Sequence, residues 1–442
     1  MTGASGVPQT IHCVLVLGYG VTGRAVAAYC VRNGIAAFVS EAGELLDADR
    51  AWLQENGISF EECGNTDRGL ADADAVVLSP GVSSEHSVVR TARARCTPVL
   101  SELEFAAHVA VRRTTIAVTG TNGKGSTVSL IAAMLGEADV RSCVCGNIGT
   151  PYIAVADHLN DVDVVVIEAS SFQLAQCSTF RPDVAVLTNL SPDHIRRHGS
   201  MAAYREAKAR LFHRQRPSDV AVFPEAWRDR FPEGAARRVT YDEATLDIRF
   251  HRWPEHERMN LMAALAACRA VAPRISASDL DPDFLLAALA EPFRMEVVGA
   301  IDGVLIINDS KSTNAASAVA ALRAVDGSCV LLLGGYSKGA GYDALAREVL
   351  SSNLRAVVVF GAAATEFERL LAGDGVSLIR VDTVEQAIVA GLGRARPGDA
   401  LLFSPACSSF DQYADYADRG RTFNRLIAER NGFSPRFQDT TR

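Results

Sequence analysis

Between Thr115 and Leu135 the chain reads TIAVTGTNGKGSTVSLIAAML. A β-branched apolar run leads through Gly120, Gly123 and Gly125 into a helical apolar pattern over Val128–Leu135. A buried strand that feeds a glycine-rich turn and then a helix commits the fold to an α/β sheet. It also aims backbone N–H groups and a helix N-terminus at an anion. Lys124 adds a mobile cation, and the hydroxyls of Ser126 and Thr127 are suited to a magnesium ion. The spacing differs from G-x-x-x-x-G-K-[ST], because Gly125 separates the lysine from the serine. A nucleoside triphosphate site is the expected use of Gly120, Thr121, Asn122, Gly123, Lys124, Gly125, Ser126 and Thr127; a plain glycine turn with an incidental lysine is the alternative.

A chain of 442 residues has room for about three domains. Hydrophobic residues make up 48%, so each domain can bury a core. The net charge of −8 offers no basic surface for nucleic acid. The ten cysteines show no metal-ligand spacing and read as reduced, mostly buried thiols of a cytoplasmic protein. No apolar run is long enough for a membrane span, and MTGASGVPQT does not read as a signal peptide.

Strand-like and helix-like runs alternate along most of the chain. Strands are expected at Val14–Leu17, Ala36–Ser40 and Ala75–Ser79, then at Thr115–Thr119, Val164–Ala169 and Val184–Asn189. A third set falls at Val304–Asn308, Cys329–Gly334, Ala356–Gly361 and Ala400–Ser404. The continuous apolar runs suit strands covered on both faces. Boundaries near Glu102 and Pro292 give domains 1–102, 103–292 and 293–442, and the charged stretch Arg214–His256 has no clear assignment.

The first domain opens with a second phosphate-type turn, Gly18-Tyr19-Gly20-Val21-Thr22-Gly23, followed by Glu41 after the next strand. The pattern fits a dinucleotide, the diphosphate of a UDP-linked substrate, or a tight turn that holds nothing. An NAD-dependent dehydrogenase would leave the loop at Lys124 without a role.

Other candidates lie at the carboxyl ends of strands, where ligands gather in open α/β sheets. Glu168 ends one strand and suits a magnesium ion or the start of the next helix. Asp193 and His194 follow another. Lys208, with Tyr204 one turn before it, reads on pattern alone as a surface lysine. Asp309 and Lys311 precede a helix that Thr313 or Asn314 would cap. Lys338 sits in a glycine-rich loop, and Ser408, Ser409, Phe410 and Tyr416 follow the last strand.

Taken in order, GYGVTG, SPG at Ser79-Pro80-Gly81, TGTNGKGST, GNIGTP, EASSFQL, NLSPDH with YREAK, INDSKSTN, LLLGGYSKG and SPACSSFDQY resemble the ATP-dependent Mur ligases over nearly the whole chain. Within that family the strings are most similar to the members that add D-glutamate. The resemblance implies an α/β chain of three domains: a Rossmann-like domain, a central phosphate-loop ATPase domain and a C-terminal Rossmann-like domain. It implies an amide ligase of peptidoglycan precursor synthesis that phosphorylates a carboxylate with ATP. Its partners would be UDP-N-acetylmuramoyl-L-alanine and D-glutamate, with no nucleic acid or membrane, and a monomer is expected.

By the same resemblance Asn260, Arg294 and Asp309 join the phosphate loop in holding ATP. Two Mg2+ sites are implied, one at Ser126 and Glu168 and one at His194 and Lys208, with Lys208 carbamylated. Gly18, Tyr19, Gly20, Val21, Thr22, Glu41, Ser79, Pro80, Gly81 and Asn147 would meet the UDP substrate. Lys311, Thr313, Lys338, Ser409, Phe410 and Tyr416 would meet D-glutamate. Lys124, His194 and Lys208 would be catalytic. The chain departs from the family at Gly125, a form similar to folylpolyglutamate synthases, which would lack the first domain. It departs again at Phe293 (a histidine in the family), at Glu257 (an asparagine), and at Arg196, where an acid is common.

Overall fold

The computed structural model describes residues 8, 10–147, 149–231, 234–242, 246–290, 292–337, 341–371 and 377–435. Two compact units result: Met1–Leu190 with Ala202–Ala288, and Ser191–Met201 with Leu289–Arg442. The chain is mixed α/β and carries three sheets.

The first unit carries two parallel sheets. One is built from β1 (Cys13–Leu17), β2 (Ala36–Ser40), β3 (Ser59–Glu61), β4 (Ala75–Leu78) and β5 (Val99–Ser101), in the order β3-β2-β1-β4-β5. Strand order reverses between β1 and β4, which opens a crevice at their carboxyl ends. The helix Val21–Asn33 leaves that crevice and stops at Gly34, whose φ of 66° gives the left-handed turn a side chain resists.

The second sheet contains β6 (Thr114–Thr119), β7 (Ser142–Gly146), β8 (Val164–Glu168), β9 (Val184–Leu187), β10 (Val220–Pro224) and β11 (Arg237–Tyr241). Its order is β11-β10-β9-β6-β8-β7, so β6 runs between β8 and β9. All residues of β8 and β9 are buried, as their unbroken apolar runs require. The unassigned stretch Arg214–His256 therefore supplies the two outer strands of this sheet. Helix Lys124–Glu137 begins at Lys124, four residues before the apolar pattern signals it. Its first turn is built of small and polar residues, which leave no apolar period to read.

The second unit holds β12 (Glu296–Ile301), β13 (Val304–Asn308), β14 (Cys329–Gly334), β15 (Leu354–Phe360), β16 (Leu378–Arg380), β17 (Ala400–Ala406) and β18 (Phe433–Pro435), in the order β16-β15-β14-β17-β13-β12-β18. Only β12 and β18 run antiparallel to their neighbours.

Helix Glu102–Val109 ties the two sheets of the first unit together. Glu104 accepts hydrogen bonds from the amides and hydroxyls of Ser178 and Thr179 and from the amide of Phe180. Glu102 is fully buried, accepts from the Ile153 amide at 2.7 Å and from Gln173 at 3.4 Å, and burial pushes its carboxyl up to about 7. No described helix is long and apolar enough to cross a membrane. All ten cysteines are free, with Cys63 and Cys96 exposed.

Because the fold raises the Glu102 carboxyl from 4.5, the stability of its neutral form is complete below that value and is lost as pH rises toward 7. The loss amounts to about 3 kcal/mol. The Tm of the native chain should therefore fall more steeply from about pH 5 to about pH 8 than that of Glu102→Gln, which cannot titrate there. Equal slopes would show that this carboxyl stays ionised in the fold.

Candidate active site

Strand β6 ends at Thr119, and the next residues are fixed from β9's side. The Thr121 amide donates to the Asn189 carbonyl (3.0 Å), and the Asn122 amide donates to Asn189 Oδ1 (2.9 Å). The Asn122 carbonyl accepts from Thr188 Oγ1 (2.6 Å) and Asn189 Nδ2 (2.9 Å). Gly120 has φ 155°, and a Cβ there would lie 1.9 Å from Thr188 Oγ1, so only glycine fits. Gly123 has φ 78°, and its missing Cβ is replaced by Asn260 Oδ1. Lys124 folds back and donates to the Gly120 and Thr121 carbonyls at 3.2 and 3.0 Å. The result is a cradle at a helix N-terminus, with a cation at its lip.

Lys208 is 1% exposed, so the pattern-based expectation of a surface lysine is wrong. Its Nζ donates to the Gly120 carbonyl at 2.6 Å and lies 4.6 Å from the centre of the Tyr204 ring. The Tyr204 hydroxyl lies 3.1 Å from Thr121 Oγ1. Helix Met201–His213 thus turns an apparently solvent-facing side chain onto the cradle.

Glu168 ends β8 alongside Val118 of β6. Its Oε1 accepts from Asn147 Nδ2 at 2.9 Å, while its Oε2 is buried with no hydrogen-bond partner. An orphaned carboxylate oxygen is costly unless a cation meets it. A carboxylate oxygen of this kind is a hard donor that suits magnesium. Among the described residues no three His, Cys, Asp or Glu side chains converge.

The crevice of the first sheet holds the other glycine turn. Gly18 has φ 93°, and its carbonyl accepts from Ser79 Oγ at 2.8 Å, which docks the Ser79-Pro80-Gly81 turn on the loop. A Cβ on Gly23 would stand 2.1 Å from the Gly18 carbonyl oxygen, so the third glycine lets helix meet strand. Glu41 is already engaged: it accepts from the Tyr19 amide at 2.5 Å and the Gly43 amide at 3.0 Å. Val21 is 66% exposed at the start of the helix, where Thr22 follows it.

In the second unit, Asp309 at the end of β13 is buried and accepts from Ser404 Oγ (2.7 Å) and the Met295 amide (3.1 Å). Burial pushes its carboxyl up to about 6. Arg294 sits between Phe293 and Met295, which have φ of 63° and 45°. Asn314, rather than Thr313, caps the next helix through the Ser317 amide at 2.9 Å. Lys311 Nζ lies 5.9 Å from the Tyr416 ring centre, and the neighbouring Ser312 hydroxyl is buried without a partner. Ser409 is buried and Phe410 is 71% exposed. His194, with φ 53°, lies 3.4 Å from Asp193 Oδ2, which accepts from Asn314. Lys338 lies outside the described residues.

Sequence reasoning missed the roles of Thr188, Asn189 and Tyr204 as supports of the phosphate loop. Their signal was position only: a strand end beside β6, and one helical turn before Lys208. It also missed Arg419, wholly buried, which donates to the Ser310 and Cys407 carbonyls and to Ser310 Oγ. That guanidinium joins the turn after β13 to the turn after β17.

A glycine turn of this build, leading from a parallel strand into a helix N-terminus, is the kind of backbone that nucleotide-binding α/β enzymes use. The family can be stated from comparison. Residues 118–247 match the Mur ligase middle domain. Residues 293–407 match the Mur ligase, glutamate ligase domain, and 13–88 match the MurD N-terminal domain. The UDP-N-acetylmuramoylalanine–D-glutamate ligase of Salinibacter ruber is 36% identical, covering 93% of this chain and 96% of that protein. The ligase of the same name from Pelotomaculum thermopropionicum is 34% identical, covering 94% and 97%. This chain belongs to the Mur ligase family. Of solved structures, the MurF ligase of Thermotoga maritima in complex with ADP shares the fold at a TM-score of 0.57 and 18% identity, covering 93% of each chain.

Asn189→Ala removes both side-chain bonds to Asn122 and should weaken ADP binding about tenfold to a hundredfold, with Tm lowered by a few degrees. Calorimetric titration checks this, and unaltered affinity would mean the loop holds its shape without that clamp.

Proposed function

We propose that this chain is an ATP-dependent ligase that joins D-glutamate to UDP-N-acetylmuramoyl-L-alanine in peptidoglycan precursor synthesis. The observation that carries the reading is the cradle Gly120–Thr127 set beside the orphaned Glu168 oxygen, in a chain similar over its length to D-glutamate ligases. The proposed domains are 1–102 for the UDP substrate, 103–292 for ATP and 293–442 for the amino acid. The reading places the chain in the cytoplasm as a monomer.

Carboxylates resist attack by amines because their carbon is electron-rich and oxide is a poor leaving group. In the proposed reaction a substrate carboxylate oxygen attacks the γ-phosphorus, and the bond from that phosphorus to the ADP oxygen breaks. The amine nitrogen of D-glutamate then attacks the acyl carbon, and phosphate departs as the amide forms and the amine loses its proton. Two anions must approach for the first step, so Lys124 and the loop N–H groups stabilise charge that builds on the phosphoryl oxygens.

Asn260, Arg294 and Asp309 are assigned to ATP. Ser126 and Glu168 would hold one magnesium ion, and His194 with Lys208 a second. When bound, magnesium offsets the phosphate charge. Carbamylation of Lys208 would form an N–C bond between its neutral amine and CO2, with loss of a proton, and turn a cation into an anionic oxygen ligand. The loop Gly18–Thr22, Glu41, Ser79, Pro80, Gly81 and Asn147 are assigned to the UDP substrate. Lys311, Thr313, Lys338, Ser409, Phe410 and Tyr416 are assigned to D-glutamate, whose carboxylates pair with the lysines.

Two other readings fit less well. A folylpolyglutamate synthase would share the Gly125 form but would lack the sheet β1–β5. An NAD-dependent dehydrogenase would leave the loop at Lys124 without a role.

With UDP-N-acetylmuramoyl-L-alanine present, ADP release should require D-glutamate and fail with L-glutamate, L-lysine or meso-diaminopimelate. Turnover with another amino acid would reassign the substrate. Lys124→Ala should lose at least about a hundredfold in kcat. For the carbamate, Lys208→Ala should be nearly inactive and regain turnover with added short carboxylates; full activity without them refutes that role.

A further inference from the structure

Glu257 lies in the first turn of helix Glu255–Val271. It is 7% exposed. Its Oε1 accepts from Ser126 Oγ at 3.3 Å, and its Oε2 accepts from Asn260 Nδ2 at 3.0 Å. Glu257 and Asn260 are three apart on one helix face, so a single helix brings both to the cradle. Asn260 in turn fills the space left by the missing Cβ of Gly123.

A carboxylate brings a full negative charge to a place shaped for phosphate. Among the described residues its one ionisable partner is His256, whose Nε2 is 3.5 Å away and which is 39% exposed. A buried carboxylate beside a polyanion is stable only with a cation between them. The spacing accommodates one, because two oxygens cis to each other on an octahedral magnesium at about 2.1 Å lie about 3 Å apart. Ser126 Oγ and Glu257 Oε1 stand close to that separation.

We propose that Glu257 is a ligand of the nucleotide-bound magnesium, paired with Ser126, and that it makes nucleotide binding in this chain depend strongly on the metal. This rests on the assignment of the cradle to ATP. Glu257 would add an anionic oxygen to the magnesium beside the neutral Ser126 hydroxyl. Without the metal, the same carboxylate repels the phosphates.

The test is the affinity of ADP for the full chain, measured by titration calorimetry with excess magnesium and again with the metal chelated. In the native chain magnesium should tighten ADP strongly. In Glu257→Gln and Glu257→Asn the metal-free affinity should rise, and the ratio of the two affinities should fall at least about tenfold. Ser126→Ala should lower the same ratio, and the double variant should lose less than the two losses combined. A ratio unchanged in both Glu257 variants overturns the proposal and leaves the carboxylate as a brace for Ser126 and Asn260, since a brace would weaken both affinities alike. A native chain that binds ADP under neither condition overturns the nucleotide assignment itself.

Discussion

The backbone turn after β6 is the constraint on which the rest of the first unit depends. Three of its features are mutually enforced: Gly120 leaves room for Thr188, Asn189 pairs with Asn122 on both sides, and Gly123 leaves room for Asn260. Together they fix the backbone that leads into helix Lys124–Glu137, whose N-cap is Gly123. A flexible glycine loop would bind phosphate only after losing that freedom, whereas this one is ordered by its neighbours before any ligand arrives. Lys208, Tyr204, Glu168 and Glu257 are then arranged around a rigid object.

That arrangement links fold to chemistry through strand order. Because β6 runs between β8 and β9, the ends of both neighbours fall beside the cradle. One end delivers a carboxylate and the other the Thr188-Asn189 clamp. The first sheet repeats the logic at its own reversal point, where Ser79 docks on Gly18. In the second unit the ends of β13 and β17 are bridged by Arg419, a buried cation whose guanidinium burial pushes down to about 10.

Much of this was legible in the sequence, for identifiable reasons. Parallel strands are buried on both faces, so VVVIE and VAVL announce themselves as unbroken apolar runs, and glycines at forced backbone positions mark the turns after them. The start of helix Lys124–Glu137 was not legible, because its first turn is selected for ligand contact rather than for a core. Nor was the burial of Lys208, which depends on a carbonyl 88 residues earlier in the chain. The same holds for Arg419 and Asn189, whose partners are mostly backbone atoms that leave no trace in residue identity. Glu257 was visible only as a departure from a family pattern, and its contact with Ser126 gave it a meaning.

The most direct measurement is a crystal structure of the full chain with magnesium and a non-hydrolysable ATP analogue. The β- and γ-phosphates should lie on the amides of the Gly123–Thr127 segment, with magnesium on Ser126 and the now-orphaned oxygen of Glu168. A triphosphate bound elsewhere, or a magnesium ion that leaves Glu168 untouched, would contradict the account.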